Sequence, residues 1–269
     1  MIKNIAIMGC GWLGLPLAIS LIGKGHKVSG TTTSKDKLPA LENAGIIPYS
    51  ISVSEAGIDG PMAALLEDSE VLIINIPPKL RGAHPGNYIR KMEHLQKAIG
   101  NSALKNIIFI SSTSVYGADQ GRITEKTIAR PTSEAGRQLL VSEQLFQQIP
   151  NIVTTIIRFA GLIGEDRHPI TMLSGKKGLK NGDYPVNLIH LDDCIGVIEA
   201  VITKNWWGEI LNAAYPLHPT KKEYYHRIAQ QRGLIPPQYG QNSNLSGKII
   251  DSSKLIRVKK YAYKTSILQ

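Results

Sequence analysis

Gly9-Cys10-Gly11-Trp12-Leu13-Gly14 is the stretch on which the fold turns. In front of it runs Ile2 to Met8, short and apolar, the pattern of a strand buried on both faces. Behind it Leu15 to Ile22 reads as a helix that stops near Gly23 and Gly25. A G-x-G-x-x-G set between strand and helix gives each glycine its own task. Gly9 makes the tight turn, Gly11 lets backbone N–H groups approach a pyrophosphate, and Gly14 lets the helix lie close on the strand. Trp12 and Leu13 complete the loop, and the helix N-terminus faces the anion. Pro16 falls near the first helical turn, where a missing N–H costs least. Cys10 reads as a small residue of a tight loop; activation by the helix N-terminus is the alternative.

The next strand is Lys27 to Thr32. A carboxylate about 20 residues past the glycines would hold the adenosine ribose of NAD. Thr31-Thr32-Thr33-Ser34-Lys35 supplies none, and Ser34 and Lys35 suit a 2′-phosphate. This favours NADP, with NAD second. The plainer reading is that these hydroxyls cap a helix beginning near Lys35.

Strands and helices then alternate, as in a doubly wound sheet. Strands are expected at Ile46–Val53, Val71–Ile76 (ending in Pro77-Pro78), Ile107–Ser111, Ile152–Arg158 and Ile210–Ala213. Helices are expected at Asn87–Ile99 and Ser133–Ile149, and from an Asp192 or Asp193 cap to about Thr203. Thr220-x-x-Glu223 is a capping box opening a helix to about Arg232. The expected fold class is α/β, a doubly wound parallel Rossmann sheet with a small C-terminal α/β substrate lobe. Residues 1–165 form the core, the strand near 210–213 rejoins it, and 166–269 form the lobe.

Composition excludes several classes. Hydrophobic residues make up 42% of 269, the level of a globular core and too much for disorder. Two cysteines and seven histidines, without ligand spacing, argue against a disulfide scaffold and a metal site. The uncharged run Asn4–Gly23 is about long enough for a bilayer, and Ile7-Met8-Gly9-Cys10 has a look of a lipoprotein site, but its glycines explain it better as a loop. A cytoplasmic protein without a membrane segment is expected.

The net charge is +10. Residues 151–269 carry +7 of it, with a cluster at Lys254, Arg257, Lys259, Lys260 and Lys264 around Tyr261 and Tyr263. No nucleic-acid motif accompanies it, so a solvated terminal segment is expected and nucleic acid is not. Gly175-Lys176-Lys177-Gly178-Leu179-Lys180 is an anion contact for an acidic substrate in one reading and a solvated loop in the other.

Ser111-Ser112-Thr113-Ser114-Val115-Tyr116-Gly117 follows the fifth strand. Arg158-Phe-Ala-Gly161-Leu-Ile-Gly164 follows the sixth, and Asn187-Leu-Ile-His190-Leu-Asp192-Asp193 comes next. With the glycine loop, these segments resemble, in order, the extended short-chain dehydrogenase/reductase superfamily, the NAD(P)-dependent epimerase/dehydratase group. The resemblance covers roughly residues 1–215. It implies that Ser112 polarises the substrate oxygen and that Tyr116 is structural.

The chain departs from the family where catalysis sits. The family's Pro-x-Ser-x-Tyr-Gly-x-Ser-Lys becomes Pro131-Thr132-Ser133-Glu134-Ala135-Gly136-Arg137-Gln138-Leu139. The proton-exchanging Tyr is Ala135, and the Lys that lowers its pKa is Leu139. The Gly-Trp-Leu-Gly loop with Gly136-Arg137 resembles an atypical bacterial subgroup without the Tyr-Lys pair. His168, after the sixth strand, is a candidate to supply the proton, with Tyr116, Arg137 and His190 behind it. His190 reads first as a packed structural histidine.

Two functions follow. One is an NADP(H)-binding oxidoreductase or epimerase-like enzyme with a small, in one reading acidic, carbonyl or hydroxyl substrate. The other is a catalytically silent NADP(H)-binding redox sensor or regulator. Cofactor contacts are expected at Gly9, Gly11, Trp12, Leu13, Gly14, Thr32, Thr33, Ser34, Lys35 and Pro77. A homodimer is an open possibility, since many relatives pair through two helices.

Overall fold

The computed structural model describes residues 2–78, 86–100, 102–240 and 247–268. The chain begins with β1 (Asn4–Met8), α1 (Gly14–Gly23) and β2 (Lys27–Thr32), continues through α2 (Leu38–Asn43) to β3 (Ile47–Ser50), and makes a small hairpin, β4 (Ser52–Val53) and β5 (Ile58–Asp59). It then runs through α3 (Met62–Glu67), β6 (Val71–Ile74), α4 (Tyr88–Gly100), β7 (Asn106–Ser112) and the short β8 (Gly121–Ile123) to α5 (Glu134–Gln147) and β9 (Val153–Phe159). The remainder is β10 (Gly161–Ile163), α6 (Ile170–Leu173), β11 (Leu188–His190), α7 (Leu191–Thr203), β12 (Ile210–Ala213), α8 (Lys221–Gln231) and β13 (Lys248–Ile250).

Seven strands form one parallel sheet in the order β12-β9-β7-β6-β1-β2-β3. The order reverses between β1 and β6. At such a point the two crossovers diverge and leave a crevice at the strands' carboxyl ends, where ligands bind in sheets of this kind. The middle strands are apolar without alternation because helices cover both faces: α3, α4 and α5 pack in one row and α1 and α7 in another. Val71 to Ile74 are all fully buried.

Three expectations about local structure change. The run Ile46–Val53 is not one strand: β3 is the sheet edge, and the chain leaves it after Ser50 to pair β4 with β5. Neither Asp192 nor Asp193 caps α7. His190 does, its Nδ1 accepting from the Asp192 N–H at 3.3 Å. Ser34 makes no side-chain cap; instead the Thr32 hydroxyl accepts from the Ser34 N–H at 3.1 Å, and a 3₁₀ turn, Lys35–Lys37, precedes α2. The Thr220–Glu223 capping box is present as expected.

The basic C-terminal segment is not solvated as a whole. Lys254 and Lys259 both reach Glu209 at 2.6 Å, and Tyr261 is buried. Asp193, fully buried on α7, accepts from the Tyr261 hydroxyl (2.9 Å) and the backbone N–H groups of Lys264 (2.8 Å) and Thr265 (3.0 Å). A buried carboxylate needs such donors, and the terminal segment supplies them.

The buried hydrophobic side chains fall into two cores. A second core gathers Ile163, Ile170, Val186, Leu188, Tyr224 and Ile228, while α7, β12 and residues 250–261 join the main core. β13 returns to pair with β8, closing the lobe back over the sheet's carboxyl edge.

Candidate functional site

Both sheet neighbours of β1 hold the first glycine. The Gly9 N–H donates to the Thr31 hydroxyl at 3.0 Å, and its carbonyl accepts from the Asn75 side-chain amide at 3.0 Å. Gly9 has φ +100°, which favours glycine, and a Cβ there would lie 2.7 Å from the Asn75 carbonyl. At Gly14 a Cβ would lie 2.1 Å from the Gly9 carbonyl, so α1 rests directly on the loop. Gly11 is the opposite case, with no atom within 4 Å of a Cβ placed there. Among the described residues no acceptor meets the N–H groups of Gly11, Trp12 and Leu13. Three donors thus stand at an open glycine, at the N-terminus of α1 and at the sheet's reversal point. A pyrophosphate fits these donors.

Cys10 is turned away from this edge. Its thiol packs on Gly30, where a Cβ would be 2.5 Å from Sγ, and burial pushes its pKa up to about 11. The reading of an activated thiol is thereby dropped. Thr32, Thr33, Ser34 and Lys35 follow the carboxyl end of β2, with Thr33 and Lys35 exposed. Asp36 comes next on the 3₁₀ turn and is also exposed. Pro77 is exposed just beyond β6.

Ser112 ends β7, and its hydroxyl accepts from the Ser114 N–H at 3.1 Å. The turn that follows is held from outside. Lys248, on β13, donates through Nζ to the carbonyls of Thr113 (2.7 Å) and Tyr116 (2.8 Å). Burial lowers the pKa of Lys248 to about 8. Asn187 fixes β13 in turn, donating to the Lys248 carbonyl and accepting from the Ile250 N–H, both at 2.8 Å. Sequence reasoning missed Lys248, which lies 136 positions from Ser112 by their numbers.

The other proton candidates are committed elsewhere. The Tyr116 hydroxyl accepts from Arg158 Nη1 (2.7 Å) and donates to Asn212 Oδ1 (3.0 Å). Arg158 also makes a buried ion pair with Glu143, which accepts from the Ser111 hydroxyl. Arg137 is exposed and pairs with Glu134. His168 is buried in the second core. Its Nδ1 accepts from the Ile170 N–H (3.1 Å), so Nε2 carries the proton and donates to the Tyr224 hydroxyl (2.9 Å). Burial, aided by Arg232, lowers its pKa to about 4. Both ring nitrogens are thus hydrogen-bonded within the second core.

Helix α5 carries the two residues, Ala135 and Leu139, that the sequence sets against the family's Tyr-Lys pair. Ala135 is half-buried in its first turn and Leu139 is buried in the main core. A Cβ on Gly136 would lie 2.2 Å from the Ser114 carbonyl, so the helix presses on the Ser112 turn itself. On the lobe side, Trp12 donates its indole N–H to Asp166 at 2.8 Å, and the Arg167 guanidinium carbon lies 4.8 Å from the ring centroid. Lys176, Lys177 and Lys180 are exposed. Among the described residues there is no cluster of three His, Cys, Asp or Glu suited to a metal, and no helix is long and apolar enough to cross a membrane.

No family model matches the chain. Protein YeeZ of Escherichia coli (strain K12) is 36% identical over 255 residues, which are 94% of this chain and 93% of that protein. The UDP-glucuronic acid 4-epimerase of Bacillus cereus, solved with UDP-glucuronic acid and NAD, superposes with a TM-score of 0.80 over 98% of this chain and 95% of its own, at 21% identity. The chain belongs to the same family as YeeZ, and its fold is that of the NAD-dependent epimerases and dehydratases of the extended short-chain dehydrogenase/reductase type. A further relative is the uncharacterized UDP-glucose epimerase YtcB of Bacillus subtilis (strain 168), 26% identical over 239 residues, 78% of this chain and 76% of that protein.

Proposed function

We propose that this epimerase/dehydratase relative binds a nicotinamide dinucleotide on the glycine loop, NADP(H) before NAD(H). It acts there as an oxidoreductase or epimerase on a small carbonyl or hydroxyl compound, an acidic one by the lobe's lysines. The observation that carries the reading is the open position at Gly11 beside three unmet N–H groups, framed by Gly9 and Gly14, where no side chain fits. Thr32, Thr33, Ser34 and Lys35 suit a ribose phosphate, and the stretch Thr31–Lys35 carries no repelling carboxylate. The bound dinucleotide would supply or accept hydride. Ser112 would polarise the substrate oxygen, and Pro77 would border the nicotinamide side.

A second reading follows from Ala135 and Leu139: the chain binds the dinucleotide as a redox sensor without turning it over. Leu139 is 3% exposed, so α5 offers a packed methyl face where the superfamily pattern has its cation.

Both readings place the protein in the cytoplasm, without nucleic acid. Titration with NADPH and NADH separately, followed by protein fluorescence and thermal unfolding, tests the shared part. Absence of any response to both overturns it. Hydride exchange over a panel of carbonyl compounds with the reduced cofactor, and of hydroxyl compounds (small hydroxy acids and a UDP-hexuronic acid) with the oxidised cofactor, separates enzyme from sensor. In the enzyme, Ser112→Ala loses turnover; in the sensor, no member of the panel is turned over.

A further inference from the structure

Trp12 has two roles that meet in one residue. Its backbone N–H is one of the three unmet donors of the glycine loop, and its indole reaches across to the first turn of the lobe. That turn, Gly164 to Arg167, is closed by a pair of main-chain hydrogen bonds of 2.8 and 3.3 Å. Gly164 gives the indole room: a Cβ there would lie 2.8 Å from Cζ2. Asp166 takes the indole N–H at 2.8 Å, which turns its carboxylate toward the ring edge. Arg167 lies over the ring, 4.8 Å from the centroid, exposed and with no carboxylate in ion-pair range among the described residues. A guanidinium stacked on an aromatic ring keeps its in-plane N–H groups free for a bidentate anion. The fold therefore mounts a cation on the residue whose main chain faces the open glycine.

We propose that Arg167, carried on the Trp12 ring, is the lobe's clamp on the dinucleotide pyrophosphate. This rests on the dinucleotide reading above and adds to it a contact from outside the sheet. The clamp makes lobe and loop close on the same diphosphate, with Asp166 and Gly164 as positioning groups that hold the indole in place.

The test is calorimetric titration of the full chain with NADPH and with ADP-ribose, which keeps the diphosphate and lacks nicotinamide. Arg167→Met should weaken both ligands equally, by about 10- to 100-fold, the worth of a hydrogen bond to a charged group. It should also flatten the salt dependence of binding. Arg167→Lys should recover part of the affinity, and Trp12→Phe should abolish the ligand-dependent change in indole fluorescence. Thermal unfolding of the apo variants confirms that they fold. Wild-type affinity in Arg167→Met overturns the clamp while leaving the dinucleotide site standing. So does a variant that keeps ADP-ribose but loses an acidic co-substrate, since Arg167 then serves the substrate. A wild-type chain that binds neither ligand overturns the dinucleotide reading and the clamp with it.

Discussion

The side-chain amide of Asn75 donates to the carbonyl of Gly9 at 3.0 Å, so the strand across the sheet's reversal point holds the glycine loop by its first residue. Asn75→Ala removes that bond and leaves the Gly9 carbonyl without the amide. The loss should cost about 1–3 kcal/mol in urea unfolding and weaken dinucleotide binding in titration. Unchanged affinity would show that the loop keeps its shape from Thr31 alone.

Gly11 and Gly14 should separate binding from folding. Gly14→Ala drives a methyl to 2.1 Å from the Gly9 carbonyl and should lower the melting temperature by several degrees. Gly11→Ala meets nothing in the protein and should leave unfolding unchanged while dinucleotide affinity falls, because its methyl occupies the open side of the loop. Thermal scans with and without ligand check both.

Glu143 and Arg158 are 1% and 5% exposed and paired at 2.5 Å. Removing one partner strands the other charge, so Glu143→Ala should cost about 3–5 kcal/mol in denaturant unfolding. Arg158→Ala, which also removes the donor to the Tyr116 hydroxyl, should cost at least as much.

His168 predicts an acid-side loss of stability. Its folded pKa, about 4, lies below the ordinary value near 6.5, so between these values the unfolded chain binds more protons. The contribution is complete above pH 6.5 and is lost as the pH falls from there toward 4. His168→Gln should remove this component from an unfolding-versus-pH curve. His26 and His218 are shifted in the same direction and keep a smaller one. A curve identical to wild type would refute the assignment.

Much of the frame can be read from residues that act on close neighbours. The loop Gly9–Gly14, strands 27–32 and 210–213, and the Thr220–Glu223 box depend on local geometry and stand where the sequence puts them. What escapes the eye is contact between distant positions. Asn75 meets Gly9 across 66 residues; its only sign was an amide closing an apolar run before Pro77-Pro78. Lys248 meets Thr113 across 135, from a segment that matches the family loosely. The sequence sets Ala135 and Leu139 against the family's Tyr-Lys pattern, but does not show that Leu139 is packed into the core. Asp193 looked like a cap because acidic residues favour helix starts, whereas burial assigns it another task.

That task has a consequence for synthesis on the ribosome. Until residues 261–265 leave the exit tunnel, the Asp193 carboxylate has none of the three donors that satisfy it in the finished fold, and α7 would bury an uncompensated charge by docking. The nascent chain therefore completes its helical layer only after nearly all of this sequence has been translated. A stop codon upstream of Tyr261 should yield a product that chaperones and proteases recognise as unfinished.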